Sequence, residues 1–236
     1  CTFGDATDVA WWHTHKLPLI EILGKDGCLA SAAGDFAGLT TAEARTAIIK
    51  AIDEAGQLLA QKPTTQAVRT HERCDTPVEY IVSSQWFINL LDYKEEMLAA
   101  GAQINWQPAH MARRYQQWID NLSWDWCISR QRYFGVTFPV WYCEECGETV
   151  IASRDELPLD PTIQQPSQPC PSCGSTQFRP ETDVMDTWAT SSMSPQIIGG
   201  WLQDEALMEK VFPFSLRPQA HEIIRTWAYY TIAKSH

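Results

Sequence analysis

Between positions 40 and 62 apolar side chains recur at Ala44, Ala47, Ile48, Ala51, Ile52, Ala55, Leu58 and Leu59. That three-to-four spacing predicts an amphipathic helix. Thr40 with Glu43 reads as its capping box, and Pro63 as its stop. Ahead of it, LPLIEILGKDGCLA alternates toward a strand pair turning at Lys25, Asp26 and Gly27. VEYIVSSQWFI is β-rich in its first half. Two more helices are expected. The first covers 89–100 and closes on Gly101 as its C′ residue, and the second covers 109–121, with Met111, Tyr115, Trp118 and Ile119 on one face. VTFPVWY reads as a strand, DELPLDPTIQQPSQP as a loop without a core-forming pattern, and VFPFSLRP as a short strand. That strand leads into a helix HEIIRTWAYYTIAKSH with Ile224, Trp227, Ala228 and Thr231 at helical spacing. Strand-to-helix junctions of this kind are where nucleotide-binding sheets place their ligands.

With 236 residues and 44% hydrophobic content, the chain can bury one sizeable core beside a small satellite module. No apolar run reaches the 18 to 20 residues, roughly, that span a bilayer, so no membrane association is expected. Nothing near Cys1 resembles a signal peptide, and the first residue is not Met, so the natural start is expected elsewhere. A formal net charge of −11 argues against non-specific binding to a phosphate backbone.

Cysteine placement changes the picture. Of eight cysteines, Cys1, Cys28, Cys74 and Cys127 are scattered and read as free thiols. The rest form two tight knuckles, Cys143-x-x-Cys146 and Cys170-x-x-Cys173, each followed by a glycine. Such a turn lets two thiolates converge on one ion, with Gly147 and Gly174 free to adopt positive φ. Four thiolates suit tetrahedral Zn²⁺ in a closed, structural site. A redox dithiol and an iron–sulfur centre are the lesser alternatives.

Three stretches then match a known family. SWDWCISRQRYFGVTFPVWYC resembles the approach to the zinc ribbon in valyl- and isoleucyl-tRNA synthetases. DVMDTWATSSMSP is similar to the valine-type sequence after that ribbon, and LRPQAHEIIRTWAYYTI to the valyl enzymes' RPQGHDIIRTWAFYTI. CTFGDATDVAWWHTHKLPL resembles the end of the inserted editing domain. The matches run in the family's order over almost the whole chain, whereas the HIGH-like and KMSKS-like motifs are absent. The chain is thus identified as an internal piece of a class I aminoacyl-tRNA synthetase.

The resemblance implies an α/β fold: a partial Rossmann-like catalytic domain with an inserted zinc ribbon and a remnant of the β-rich editing domain. It divides the chain into an editing-domain tail (1–36), a helical connection with part of the catalytic domain (37–142), the ribbon (143–179) and further catalytic domain (180–236). The implied activity is activation of valine with ATP and Mg²⁺, transfer to tRNA(Val) and editing of mischarged threonine, in a monomeric cytoplasmic enzyme. By motif, Trp188, Ile223 and Trp227 surround the amino-acid side chain, while tryptophans at helical spacing also serve as plain core. Ala220 and Glu222 stand where the family has Gly and Asp beside the ribose of ATP. Glu222 equally suits the first turn of a helix. Asp8 matches the editing carboxylate that holds an α-amino group, or is a turn residue beside Asp5. Arg130 and Gln131 face the active site, or Arg130 pairs with a nearby carboxylate. An isoleucyl-type enzyme and a non-catalytic zinc-ribbon binding module are the rival readings.

Overall fold

Thr40 and Glu43 bond each other reciprocally: the Glu43 carboxylate accepts from the Thr40 N–H at 2.9 Å, and the Glu43 N–H donates to the Thr40 hydroxyl at 3.3 Å. This is the expected capping box, and it starts a helix in the computed structural model of the chain, which describes residues 3–65 and 67–236. Two compact units divide at Ser84 and Gln85. Cys1 lies outside the described residues.

In the first unit, α1 (Ala6–His15) is capped by Asp5, whose side chain accepts from the N–H groups of Thr7 and Asp8. A 3₁₀ segment, Ser31–Phe36, precedes α2 (Thr41–Glu54). Four expectations change here. Helix α2 ends at Glu54 rather than running to 62, because Gly56 turns the chain at φ 67°. Leu59, placed by periodicity on the helix face, lies beyond the end and is exposed. The strand pair around Lys25 shrinks to an isolated bridge, Leu23 to Leu29, although the turn itself forms, with Gly27 at φ 78° and Gly24 bonded to Cys28. The tail expected to be β-rich carries two short helical segments and, among its described residues, only isolated bridges, and residues 78–83 form no strand. An apolar, β-branched run becomes a strand only where a ladder partner exists.

In the second unit β1 (Phe87–Ile88) leads into a 3₁₀ turn, Leu91–Tyr93, then α3 (Lys94–Ala102) and α4 (Met111–Asp120). Three short sheets follow. β1 pairs with β2 (Trp126–Cys127), β3 (Ser129–Arg130) pairs with β7 (Val184–Met185), and β4 (Val140–Cys143) lies between β5 (Thr149–Ile151) and β6 (Phe178–Pro180). Every one of these pairings is antiparallel. The α/β content is as expected, but the named strands form no parallel, Rossmann-like sheet.

Short helices α5 (Thr187–Ser191), α6 (Ser194–Ile198) and α7 (Glu205–Val211) precede a 3₁₀ turn, His221–Arg225, and α8 (Trp227–Ser235). The helix expected over 221–236 is therefore broken. Thr226, at φ −122° and ψ −85°, separates its two halves. The strand expected in VFPFSLRP does not form either, for residues 213–218 find no ladder partner among the described residues.

The main core joins Leu90, Met97, Tyr115, Ile119, Trp126, Ala189, Ile224 and Tyr229. All four residues placed on one face of the second helix contribute as expected: Ile119 and Tyr115 are fully buried, and Trp118 and Met111 pack on the cluster. Gly101 differs, sitting inside α3 rather than closing it. An added Cβ there would stand 2.2 Å from the Tyr115 ring, so glycine is needed for the two helices to approach. Gly101→Ala should lower stability by about 1–3 kcal/mol, the usual cost of overpacking, read from the midpoint of denaturant unfolding.

Candidate functional site

Each cysteine knuckle folds the same way. The Gly147 N–H bonds the Cys143 carbonyl at 2.9 Å and the Gly174 N–H bonds the Cys170 carbonyl at 2.8 Å, with φ of 75° and 76° at the two glycines. The expected left-handed turns are thus in place. Strand β4 delivers Cys143, whose N–H returns to the Glu148 carbonyl at 2.9 Å. The knuckles face one another, with Cys143 Sγ 3.5 Å from Cys173 Sγ and Cys146 Sγ 3.6 Å from Cys170 Sγ. All four sulfurs lie within 4.8 Å of one another. A tetrahedron with metal–sulfur bonds of about 2.3 Å has edges of about 3.8 Å, so the donor set fits one ion. Backbone N–H groups of Cys146 and Glu145 donate to the Cys143 sulfur and lower its thiol to about 7, the first of them being the main cause. These four cysteines could hold a metal.

The loop between the knuckles is held by groups that periodicity did not mark. The buried Trp141 indole donates to the Gln164 carbonyl at 2.9 Å and the Pro161 carbonyl at 3.3 Å. Glu156 accepts from the N–H groups of Ser153 and Ser167, and its carboxyl is held down at about 2, first by the Ser167 side chain and then by the Ser153 N–H. At the ribbon's base Glu181 receives the Tyr142 hydroxyl at 2.6 Å and the Trp86 indole at 2.9 Å. Burial alone would raise the Glu181 carboxyl, but the donated bonds outweigh it and the net direction is down. Tyr142 is pushed up to about 12, first by burial and then by that carboxylate. A lone Glu and a lone Trp between strands carry no motif, which is why these went unmarked.

The residues expected at the substrate pocket gather around α5 and α8. Trp188, in the first turn of α5, packs on the main core and donates its N–H to Asp186. Trp227 opens α8, and its indole donates to the carbonyl of Ser191 at the end of α5, 3.0 Å away. Ile223 is half-buried in the 3₁₀ turn that packs on α8. The break at Thr226 means that Ile223 and Trp227 do not sit one turn apart on a continuous helix.

Ala220 precedes the 3₁₀ turn, exposed, at φ −70°, a conformation any residue adopts. Glu222 is exposed with its carboxylate 3.5 Å from His221 Nδ1. Arg130 does pair with a carboxylate: Asp186, almost fully buried, lies 3.1 Å away. The Arg130 guanidinium also donates to the carbonyls of Cys127 and Ser129. Gln131 donates to Asp183 at 2.6 Å. Asp8, in the other unit, occupies the first turn of α1. A cavity of about 240 Å³ is lined by Trp118, Trp124, Asp125, Arg130, Tyr229 and Tyr230 among others. Of the expected site residues only Arg130 borders it.

A family model described as tRNA synthetases class I (I, L, M and V) matches residues 8–236. The chain belongs to the class I tRNA synthetases. Among curated relatives, a protein named valine–tRNA ligase from Archaeoglobus fulgidus is 51% identical over 235 residues, covering 100% of this chain and 26% of that protein. Those of Thermoplasma acidophilum and Methanopyrus kandleri are 48% and 46% identical, with 100% of this chain and 29% and 25% of theirs covered. The chain thus spans about a quarter of the length of these class I relatives. A solved LeuRS chain of Agrobacterium radiobacter, in a ternary complex with tRNA and LeuAMS, is 28% identical over 46% of this chain and 16% of that one, at a TM-score of 0.36. No helix among the described residues is long and apolar enough to cross a membrane.

Metal analysis of protein purified under reducing conditions should find one equivalent of metal per chain. The doubly substituted Cys143→Ser/Cys173→Ser protein should hold none. Metal retained by that variant would remove the site from these four residues.

Proposed function

We propose that this chain is part of a valine–tRNA ligase, and that in the complete protein it shapes the pocket in which valine is activated. The observation that carries this reading is identity of about half, over the whole chain, to proteins named valine–tRNA ligase. The rival isoleucyl reading and the free-standing ribbon module have no comparable support.

In that reaction the valine carboxylate attacks the α-phosphate of ATP, and valine then passes to the 3′ end of tRNA(Val). No protein nucleophile is required, so the chain's contribution is positioning. Trp188, Ile223 and Trp227 wall the amino-acid side chain, an assignment supported by the bond that ties Trp227 to the end of the helix bearing Trp188. Ala220 and Glu222 lie toward the ribose, where the exposed carboxylate of Glu222 can accept hydroxyl bonds. Arg130, held by Asp186, and Gln131 border the active site. Zn²⁺ is the ion assigned to the four thiolates, on the chemistry of the donor set. It supplies a cross-link, keeping the ribbon folded, and takes no part in the reaction. ATP brings Mg²⁺, and the enzyme works as a cytoplasmic monomer.

Apolar walls exclude a larger side chain but separate valine from threonine poorly, because the two differ only by a hydroxyl in place of a methyl. Editing is therefore assigned to the complete enzyme, with Asp8 holding the ammonium group of the misattached residue.

ATP–pyrophosphate exchange by the complete protein, compared across amino acids, should be fastest with valine. A preference for isoleucine would overturn the assignment. Ile223→Ala should raise relative activation of isoleucine, since one methylene is worth about 1–3 kcal/mol in such a pocket. Asp8→Ala should leave activation intact and let threonyl-tRNA accumulate. The 236-residue chain alone, lacking the HIGH and KMSKS motifs, should show no exchange.

A further inference from the structure

Arg217 is a partly buried cation without an ion-pair partner among the described residues. Burial lowers the affinity of its guanidinium for its proton, and no carboxylate lies within ion-pair distance of it among the described residues. Its Nε is buried without a hydrogen-bond partner. A buried charge left unpaired is costly. What the guanidinium does have is a set of contacts that all lead to Trp227. The plane lies over the Trp227 ring, with Cζ 3.8 Å from the centroid. One nitrogen, Nη2, donates to the Thr231 hydroxyl at 2.8 Å, and that hydroxyl donates to the Trp227 carbonyl at 2.6 Å. The same nitrogen reaches the Ser194 hydroxyl at 3.3 Å, which donates to the Ser191 carbonyl at 2.7 Å. That carbonyl is also the one that receives the Trp227 indole.

The circuit joins two elements. Ser191 ends α5, three residues after Trp188, and Trp227 begins α8 directly after the break at Thr226. The break at Thr226 means that no continuous helix carries Trp227 from its N-terminal side. Its ring face and edge are instead fixed by Arg217 and the Ser191 carbonyl. We propose that Arg217 is a positioning residue that sets the gap between Trp188 and Trp227, and through that gap the selectivity for the valine side chain. The proposal rests on the assignment of these two tryptophans to the valine pocket. The planar guanidinium is suited to the task, because it lies over the indole while its N–H groups reach the two hydroxyls, and an ammonium has no planar face to stack.

The test uses the complete ligase and steady-state exchange with valine and isoleucine. Arg217→Lys should raise the KM for valine about tenfold and lower the valine-to-isoleucine preference by a similar factor, with kcat and the KM for ATP held within about twofold. Thr231→Val, which keeps the shape and removes the bridging hydroxyl, should shift both quantities the same way by a smaller factor. The double variant should be no worse than Arg217→Lys alone, since both cut one circuit. A purely structural arginine would reduce kcat through a loss of active protein and leave the KM for valine unchanged, and that result overturns the proposal. If Arg217→Lys does not fold, Thr231→Val decides by the same readouts. Trp188→Ala and Trp227→Ala serve as the reference. A valine KM unchanged in both sinks the pocket assignment itself, whereas a raised KM there with wild-type behaviour in the Arg217 and Thr231 variants sinks the positioning role alone.

Discussion

The ring of Tyr115 lies where any side chain at position 101 would be, and the arrangement of residues 85–236 depends on that approach. Because Gly101 has no Cβ, α3 and α4 close together until the Tyr115 hydroxyl reaches the Met97 carbonyl at 2.9 Å. Burial suppresses ionisation of that hydroxyl, so the bond is between neutral groups in an apolar setting and is worth keeping. The closed pair then presents Ile119 and Tyr115 to Ile224 and Tyr229, which carry the 3₁₀ turn and α8. The elements bearing Ile223 and Trp227, proposed for the pocket, are in this way docked by a hydrophobic surface that contains neither of them, while Trp188 packs on its edge.

The second anchor is polar. Asp186 is almost fully buried, caps α5 through the Trp188 N–H and pairs with Arg130 across the β3–β7 ladder. One carboxylate therefore fixes both the start of the helix that carries Trp188 and a strand leaving the helical core. Removing Arg130 would strand a buried charge, which is the destabilising half of breaking such a pair. The alternative offered for Arg130 from the sequence, a partner to a nearby carboxylate, is met by this geometry without excluding a place beside the substrate. The ribbon is tied down separately, by Glu181 below the sheet and by Trp141 across the loop, so its order does not rest on the thiolates alone.

Spacing along the chain was enough for the features that depend on neighbours a few residues apart. The Thr40–Glu43 box, the helix over Met111–Asp120, and the paired knuckles with their positive-φ glycines all form where the pattern put them. Each is closed by local hydrogen bonds, so no distant residue had to be known. The same holds for the family, whose motifs are contiguous stretches of sequence.

Whatever needed a partner from elsewhere was decided by the tertiary structure. VEYIV and VFPFSLRP are apolar and extended in pattern, yet they form no strand without a ladder partner. Periodicity ran one helix through Thr226, where the backbone instead leaves helical space and gives Trp227 an orientation set by Arg217 and Ser191. Gly101 read as a helix terminator because local sequence cannot show that an aromatic ring 14 positions later would occupy its missing side chain. Arg217, Asp186 and Glu181 were invisible for the same reason: a charge acquires its meaning from the groups that burial brings around it. The sequence alone determined the knuckles, the caps and the family, all properties of contiguous residues. Which tryptophan faces which, and what holds them apart, followed only from packing.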